Sequence, residues 1–342
     1  MTRRRCDGDA RAMTTNTTLT MRAAVQHRYG PPSVLEMSDV AVPEPGRGEV
    51  LVRVGAASVH PGDYFVMTGE PYMVRLMFGL RRPRHGIPGM DLAGVVTAVG
   101  TDVTALHPGD EVFGWTGSGA LAQYACVRAE NLVPVPPGLS ITEAAAVPTS
   151  GMTALQALRD IAKVQPGQTV LVTGASGGVG SFAVQIAKAL GAEVTGVCRT
   201  ANLEMVRMLG ADHVIDYTAT DVTRAGSRYD VIFDNVEAQP LAEVRAALAP
   251  TGTLIPNSGR GGRWFGPLGR IAKARILSGF TRQRLRPFTS VGRRQDLLAL
   301  ADLLATGEVA PAIDRTYPLE AAAEALAHVG AGHTRGKVVV AV

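Results

Sequence analysis

The chain has 342 residues, 46% apolar and 19% charged, enough for two packed domains of roughly 150 residues and too apolar for intrinsic disorder over most of its length. Half of the formal charge of +4 falls in the first 20 residues, where Arg3, Arg4, Arg5 and Arg11 outnumber Asp7 and Asp9. No uncharged apolar run reaches the ~18 residues that span a bilayer, and three scattered cysteines (Cys6, Cys126, Cys198) make neither a disulfide framework nor a CxxC metal pair, which fits a reducing cytoplasm.

Residues 1–20 lack periodicity and an apolar core segment, so they read as a disordered tail and not as a secretory signal. Met13 and Met21 offer alternative starts, and a basic nucleic-acid arm is the sharper rival reading. From Met21 to 147 the texture is short and strand-like. EVLVRVGAASV and AGVVTAVG alternate with period two, and Pro/Gly turns recur in PEPGRGE, HPGDEV and VPPGLS. From 148 to 288 strands alternate with helices. TVLVTG, EVTGVC, HVIDY, YDVIFDNV and GTLIPNSG read as strands, and GVGSFAVQIAKAL, LEMVRMLG and PLAEVRAALAP as helices. That order argues for βαβ units and a doubly wound, Rossmann-type parallel sheet in an α/β chain that also carries a β-rich domain. Residues 289–342 return to a strand–helix–strand texture, and the closing KVVVAV could pair with either domain.

Gly174-Ala175-Ser176-Gly177-Gly178-Val179-Gly180 follows a strand directly and opens a helix. Glycines there permit a tight turn and let the backbone approach a pyrophosphate lying on the positive end of the helix. Ala175 stands where the first glycine of the GxGxxG spacing is usual, but strand, loop and helix come in the required order. A ribose-binding carboxylate is expected about 20 residues further on, yet 194–203 holds no acid. The second strand instead ends in Cys198-Arg199-Thr200-Ala201-Asn202, and an arginine with small polar groups suits a 2′-phosphate. These residues favour NADPH over NADH. Arg199 as an ordinary surface charge is the rival, and Cys198 reads as a small buried apolar residue.

The chain resembles the medium-chain dehydrogenase/reductases, in particular their zinc-independent quinone-oxidoreductase-like branch. The resemblance is carried by Val50–Val59, Gly89-Met90-Asp91-Leu92-Ala93-Gly94, Pro108-Gly109-Asp110-Glu111-Val112 and Gly151-Met152-Thr153-Ala154. It continues through the glycine loop, Gly210-Ala211-Asp212, Val214-Ile215-Asp216-Tyr217 and Gly336-Lys337-Val338-Val339, and so covers 21–342. It implies a GroES-like catalytic domain split around the nucleotide domain, a cleft between them, and a homodimer. It also implies that Tyr217 lies near the adenosine phosphate, with a half-buried strand tyrosine as the alternative. The switch-point logic of open sheets adds Asn235 and Asn257, at strand ends, to the cofactor shell.

By the same resemblance, the three positions that bear zinc ligands in metal-dependent relatives hold His60, Met90 and Thr149. One imidazole, one thioether and one hydroxyl do not make a zinc site, so no metal is expected. Donors in a dry cleft would then have to stabilise charge on the substrate oxygen, and His60, Tyr64 and Thr149 converge there if the resemblance holds. His60 is the preferred donor or proton relay, with a satisfied loop histidine as the alternative. Asp63 reads as fixing loop geometry. Met67, Met73, Met77, Phe78 and Trp115 suggest an apolar pocket, with ordinary core as the default.

Between Arg245 and Asp296 there is no acid, while Arg260, Arg263, Arg270, Lys273, Arg275, Arg282, Arg284, Arg286, Arg293 and Arg294 are interleaved with Trp264, Phe265, Leu268, Ile271, Ile276, Leu277 and Phe280. A cleft lid, a solvated face or subunit contact, and a membrane or nucleic-acid surface remain open for this stretch. The expectation as a whole is an NADPH-dependent, metal-free oxidoreductase acting on a small-molecule quinone, enone or alkenal, or aldehyde. It would be a cytoplasmic homodimer with no membrane span and no nucleic-acid partner. A nucleotide-binding regulatory or nucleic-acid-binding protein with the same fold and little turnover, and a zinc-type alcohol dehydrogenase, are the rivals.

Overall fold

The computed structural model describes residues 19–220, 228–257, 264, 269, 272, 274, 278 and 281–342. The tail reading falls almost wholly outside these residues, as do Arg260, Arg263, Phe265, Leu268, Arg270, Ile271, Lys273, Arg275, Ile276, Leu277 and Phe280 of the basic stretch.

The chain opens with β1 (Thr20–Val25) and β2 (Glu36–Ala41), an antiparallel pair in which Thr20 faces Ala41 and Val25 faces Glu36. The strand β3 (Glu49–Val59) is the longest of the first half. Its leading residues alternate buried and open, as one solvated face requires, and its last four are buried on both sides. After β3 come α1 (Pro61–Thr68), α2 (Val74–Phe78), β4 (Asp91–Val99), β5 (Glu111–Trp115), β6 (Tyr124–Arg128) and β7 (Leu132–Pro134). The Pro/Gly punctuation of the sequence falls between these strands.

Next, α3 (Ile141–Ala145), closed by a Ser140/Glu143 capping box, leads to α4 (Pro148–Leu155), which widens into a π-turn at Gln156–Ala162. The strands β8 (Thr169–Thr173), β9 (Glu193–Cys198), β10 (His213–Asp216), β11 (Tyr229–Asp234), β12 (Leu248–Pro256) and β13 (Arg284–Leu285) form a parallel sheet in the order β10-β9-β8-β11-β12-β13. This is the doubly wound order, with its switch point between β8 and β11. The helices α5 (Gly178–Ala189), α6 (Leu203–Met208) and α7 (Leu241–Ala246) connect its strands.

Beyond β13, α8 (Arg294–Ala305) packs Leu297, Leu300 and Leu304 into the core that holds Phe182 and Phe233, and Leu300 closes on Gly151 of α4. The chain rejoins the sheet of the first lobe at β14 (Ile313–Pro318), followed by α9 (Ala322–Gly330) and β15 (Lys337–Ala341). The apolar β15, whose sequence left its partner open, pairs antiparallel with β3 and parallel with β14, completing a seven-stranded sheet in the order β14-β15-β3-β4-β5-β7, with the seventh strand, β6, paired antiparallel to β3 off this path. One core cluster runs from Ala56, Ala93 and Phe113 of this sheet through α4 to Val170, Phe182 and Phe233. The two lobes therefore share a continuous apolar contact.

Candidate active site

The phosphate loop leaves β8 at Gly174, whose φ of +62° favours glycine. At the far end of the loop a Cβ on Gly180 would lie 2.0 Å from the Gly174 carbonyl oxygen, so the first turn of α5 closes onto the strand only without a side chain. Gly177 is the N-cap of α5, no side chain caps the helix, and no acid stands in its first turn. With no side-chain cap, first-turn N–H groups and the positive dipole end of a 12-residue helix face outward to an anion, which is the fit a dinucleotide pyrophosphate requires. Ala175 is fully buried, Ser176 is buried and Val179 half-buried. Gly178 lies against the Lys337 stem.

The ends of β9 and β10 lie side by side, pairing Cys198 with Asp216. Arg199 is half-buried, Thr200 is exposed, and Tyr217 is 53% exposed at the strand end with its N–H on the Cys198 carbonyl. Asn202 is buried and donates Nδ2–H to Ser176 Oγ at 2.8 Å, which ties this end to the phosphate loop, while its Oδ1 is buried without a partner. Sequence reasoning missed Asp216. Its carboxylate accepts Thr200 Oγ1 at 2.5 Å and both the N–H and hydroxyl of Thr218, bonds that hold its pKa below the usual carboxylate value. The end of the second strand carries no acid, but the end of the third brings one beside Thr200. Burial pushes the Cys198 thiol up to about 11, as expected of an inert buried residue.

Asn235 and Asn257 form a single unit. Asn257 Nδ2–H donates to Asn235 Oδ1 at 2.8 Å, and Asn235 Nδ2–H donates to the Thr173 carbonyl at 3.1 Å. They brace the strand ends at the switch point beside Gly174.

A buried polar seam lies where the two sheets meet. Asp91, at the start of β4 and wholly buried, accepts the Thr149 hydroxyl at 2.6 Å, the Thr149 N–H at 3.2 Å and the Ser58 hydroxyl at 3.3 Å. Lys337, which opens β15 and is 2% exposed, lies 3.6 Å from Asp91 and donates to Ser150 Oγ at 3.1 Å. Burial pushes its pKa down, against the attraction of Asp91 and Asp63. The phosphate loop touches this seam directly, because Gly177 bridges to Gly336.

His60 is the N-cap of α1. The Gly62 N–H donates to its Nδ1 at 3.0 Å, which leaves the ring proton on Nε2. That Nε2 lies 3.4 Å from Asp63 Oδ2, without a hydrogen bond. Asp63 closes the capping box by accepting the His60 N–H, so it fixes the loop as its position suggests. Burial raises its pKa, with the His60 attraction opposing. Four buried side-chain polar atoms lack partners among the described residues, and three of them, on His60, Asp63 and Asn202, belong to this region. Such atoms collect where function constrains a fold.

The seam revises three expectations. Thr149 spends its only proton on Asp91, so it meets a ligand as an acceptor and not as the expected donor. Tyr64 does not share this seam: its ring fills the space over Gly330 of α9 and packs on the core of the seven-stranded sheet. The suggested apolar pocket breaks up as well, with Met67 fully buried in that core, Met77 72% exposed, and Trp115 packed over Gly292. Asp91 and Lys337 sit in quoted motifs, yet only tertiary structure gives them a role. Among the described residues no three His, Cys, Asp or Glu side chains converge as metal ligands would.

A glycine loop at the head of a doubly wound sheet, packed on a polar seam beneath a GroES-like sheet, defines a dinucleotide-dependent oxidoreductase. Comparison with known proteins agrees. Residues 46–137 match the family model "Alcohol dehydrogenase GroES-like domain", and residues 209–340 match "Zinc-binding dehydrogenase". The chain is 33% identical over 333 residues to quinone-oxidoreductase QR1, chloroplastic, of Triphysaria versicolor, covering 94% of this chain and 98% of that one. It is 34% identical over 315 residues to the trans-enoyl reductase pgmF of Aspergillus terreus, covering 86% of each. The solved quinone oxidoreductase of Coxiella burnetii superimposes with a TM-score of 0.81 at 28% identity, over 95% of this chain and all of that one. The chain belongs to the quinone-oxidoreductase-like branch of the medium-chain dehydrogenase/reductase family, and it is an NAD(P)H-dependent oxidoreductase.

Proposed function

We propose that this enzyme uses NADPH, without zinc, to reduce an apolar carbonyl acceptor: a quinone, an enone or alkenal, or an aldehyde. The observation that carries this reading is the Gly177–Gly336 bridge, which sets the phosphate loop directly on the seam holding Asp91, Thr149 and Lys337. Gly174 to Gly180 would hold the pyrophosphate through backbone N–H groups and the α5 dipole. Arg199 and Tyr217 flank the strand end where a 2′-phosphate would lie, and Asn235 with Asn257 brace the switch point. When bound, the nicotinamide supplies the hydride. His60 Nε2–H is the donor we assign to the oxygen that gains charge, since its proton makes no hydrogen bond within the protein, Asp63 Oδ2 lying 3.4 Å away without one.

Two hydrogen bonds support a metal-free site, because each occupies a group that zinc would need: His60 Nδ1 accepts the Gly62 N–H, and the Thr149 hydroxyl is held by Asp91. A zinc-type alcohol dehydrogenase predicts stoichiometric zinc in the purified protein, and finding it would overturn this part of the reading. The relatives named for quinone and trans-enoyl reduction support the choice of acceptor class. Asp216 favours a second reading on the coenzyme, because a carboxylate beside Thr200 can accept the hydroxyls of an unphosphorylated ribose.

The deciding experiment titrates NADPH and NADH against the protein and follows oxidation of each with a panel of quinones, enones and aldehydes. Tighter NADPH binding and turnover on at least one acceptor class are expected. Tight binding with no turnover on any acceptor would favour a nucleotide-binding regulatory protein. A cytoplasmic homodimer completes the proposal, and light scattering that gives a monomer mass would remove the dimer.

A further inference from the structure

The seam contains one buried charge for which the proposed chemistry has no use, Lys337. Three separate parts of the molecule meet on it. The backbone immediately before it, at Gly336 (φ +102°), bridges to Gly177 of the phosphate loop. Its aliphatic stem lies against Gly178, with Cδ 3.3 Å from where a Cβ there would stand. Its ammonium donates to Ser150 at the start of α4 and faces Asp91 of β4 at 3.6 Å. Asp91 in turn accepts both the N–H and the hydroxyl of Thr149.

Taking an ammonium and a carboxylate out of water is costly, and apolar side chains of similar volume commonly serve stability as well or better. Packing alone therefore gives little reason for this pair. What the pair supplies is direction: one cation fixes the phosphate loop, the N-terminus of α4 and the Asp91 carboxylate relative to one another.

We propose that Lys337 is a positioning residue, acting through Asp91, Ser150 and the Gly177–Gly178 backbone to hold the phosphate loop and Thr149 in one rigid register across the two lobes. The proposal rests on the reading that the dinucleotide lies on that loop with the acceptor beside Thr149. Lys337 itself touches neither.

The test uses the full-length protein. Lys337→Met alone strands a buried carboxylate and can fail to fold, so the informative variant is Lys337→Met/Asp91→Asn, which removes both charges and leaves an amide oxygen to accept from Thr149. Three quantities are read: amide hydrogen exchange at 174–180 without coenzyme, NADPH and NADH affinity by fluorescence, and the single-turnover hydride-transfer rate at saturating coenzyme. The double variant should melt near wild type, yet exchange faster at the loop and bind both coenzymes more weakly. Its hydride transfer should fall by up to about 100-fold, the scale of an ångström of misalignment.

Ser150→Ala, which removes only the hydrogen bond to the ammonium, is the milder second variant and should speed loop exchange about fivefold. Lys337→Arg, keeping the charge, should recover most of the affinity. Wild-type exchange, affinity and rate in the folded double variant would overturn the proposal, as would unchanged loop exchange in Ser150→Ala. Failure of the function reading would appear differently, as wild-type protein that turns over no acceptor, and the coenzyme-free exchange measurement does not depend on it.

Discussion

Gly180 and Gly178 lie two residues apart in one loop, and the structure gives them opposite tolerance. A methyl group on Gly180 would lie 2.0 Å from the Gly174 oxygen, 2.8 Å from its carbonyl carbon and 2.9 Å from the Ala175 Cα. All three neighbours are backbone, so no rotamer change relieves the overlap, and the loop or the first turn of α5 must move by about 1 Å to restore ordinary contact. Overpacking of this kind costs about 1–3 kcal/mol of stability, and displacement of anion-binding N–H groups by ~1 Å costs up to ~100-fold in function. On Gly178 the same methyl group meets the Lys337 Cδ at 3.3 Å and oxygens of Gly336 and Ser150 at 3.5 Å, which needs only a few tenths of an ångström from a flexible stem. Fluorescence titration with NADPH, with thermal melts on the same samples, should show Gly180→Ala both destabilised and at least tenfold weaker, and Gly178→Ala close to wild type. If the two variants behave alike, the account of the loop as a backbone-limited anion cradle is wrong.

Four more substitutions test the charges. Arg199→Ala should weaken NADPH far more than NADH, and Asp216→Asn should shift preference toward NADPH by removing a like charge beside Thr200; equal effects on both coenzymes in the titration would refute the phosphate assignment. Asp63 is buried and its carboxyl pKa is raised, so its ionised form opposes folding. Asp63→Asn, which can still accept the His60 N–H, should therefore gain stability over wild type as pH rises above the ordinary Asp value and lose that gain in acid, and a gain in urea melts that is the same at pH 4 and pH 8 would refute this. Asp160 behaves in the opposite sense, because its bidentate bond from Arg159 holds its pKa low. Asp160→Asn should cost no more than about 1 kcal/mol at neutral pH, given its partial exposure, and the cost should vanish as pH falls below about 4 in chemical denaturation.

Much of the fold is legible in the sequence because its signals are local. The fully apolar TVLVTG, the glycine loop and the helical spacing of GVGSFAVQIAKAL each specify β8, its turn and α5 without help from elsewhere, and period-two alternation does the same for the first half of β3. The partner of β15 was not legible, because four consecutive valine and lysine positions buried on both faces fit any sheet with a free edge. The pairing was decided by the last residues of β3, which are also buried on both faces and need a neighbour.

The site divides along the same line. Residues assigned a part through their own backbone or their place at a strand end, such as Gly174, Gly180 and Arg199, lie in the loop, helix start and strand end that local sequence signals specify. Residues that act through a partner far along the chain are not so marked. Thr149 looks like a donor until Asp91, 58 residues away, takes its proton. The acid missing from the end of β9 stands at the end of β10, because strand ends adjacent in a parallel sheet lie side by side although separated by a helix in sequence. Lys337 lies 187 residues from Ser150, and nothing local marks it as buried. A charged residue opening an apolar strand ordinarily reads as a solvated end, and only the closing of two sheets on each other turns it into an interior cation that must be matched. The polar seam between lobes is thus the part of such an enzyme that sequence patterns hide most completely. It is also where substitutions in distant motifs should prove most strongly coupled.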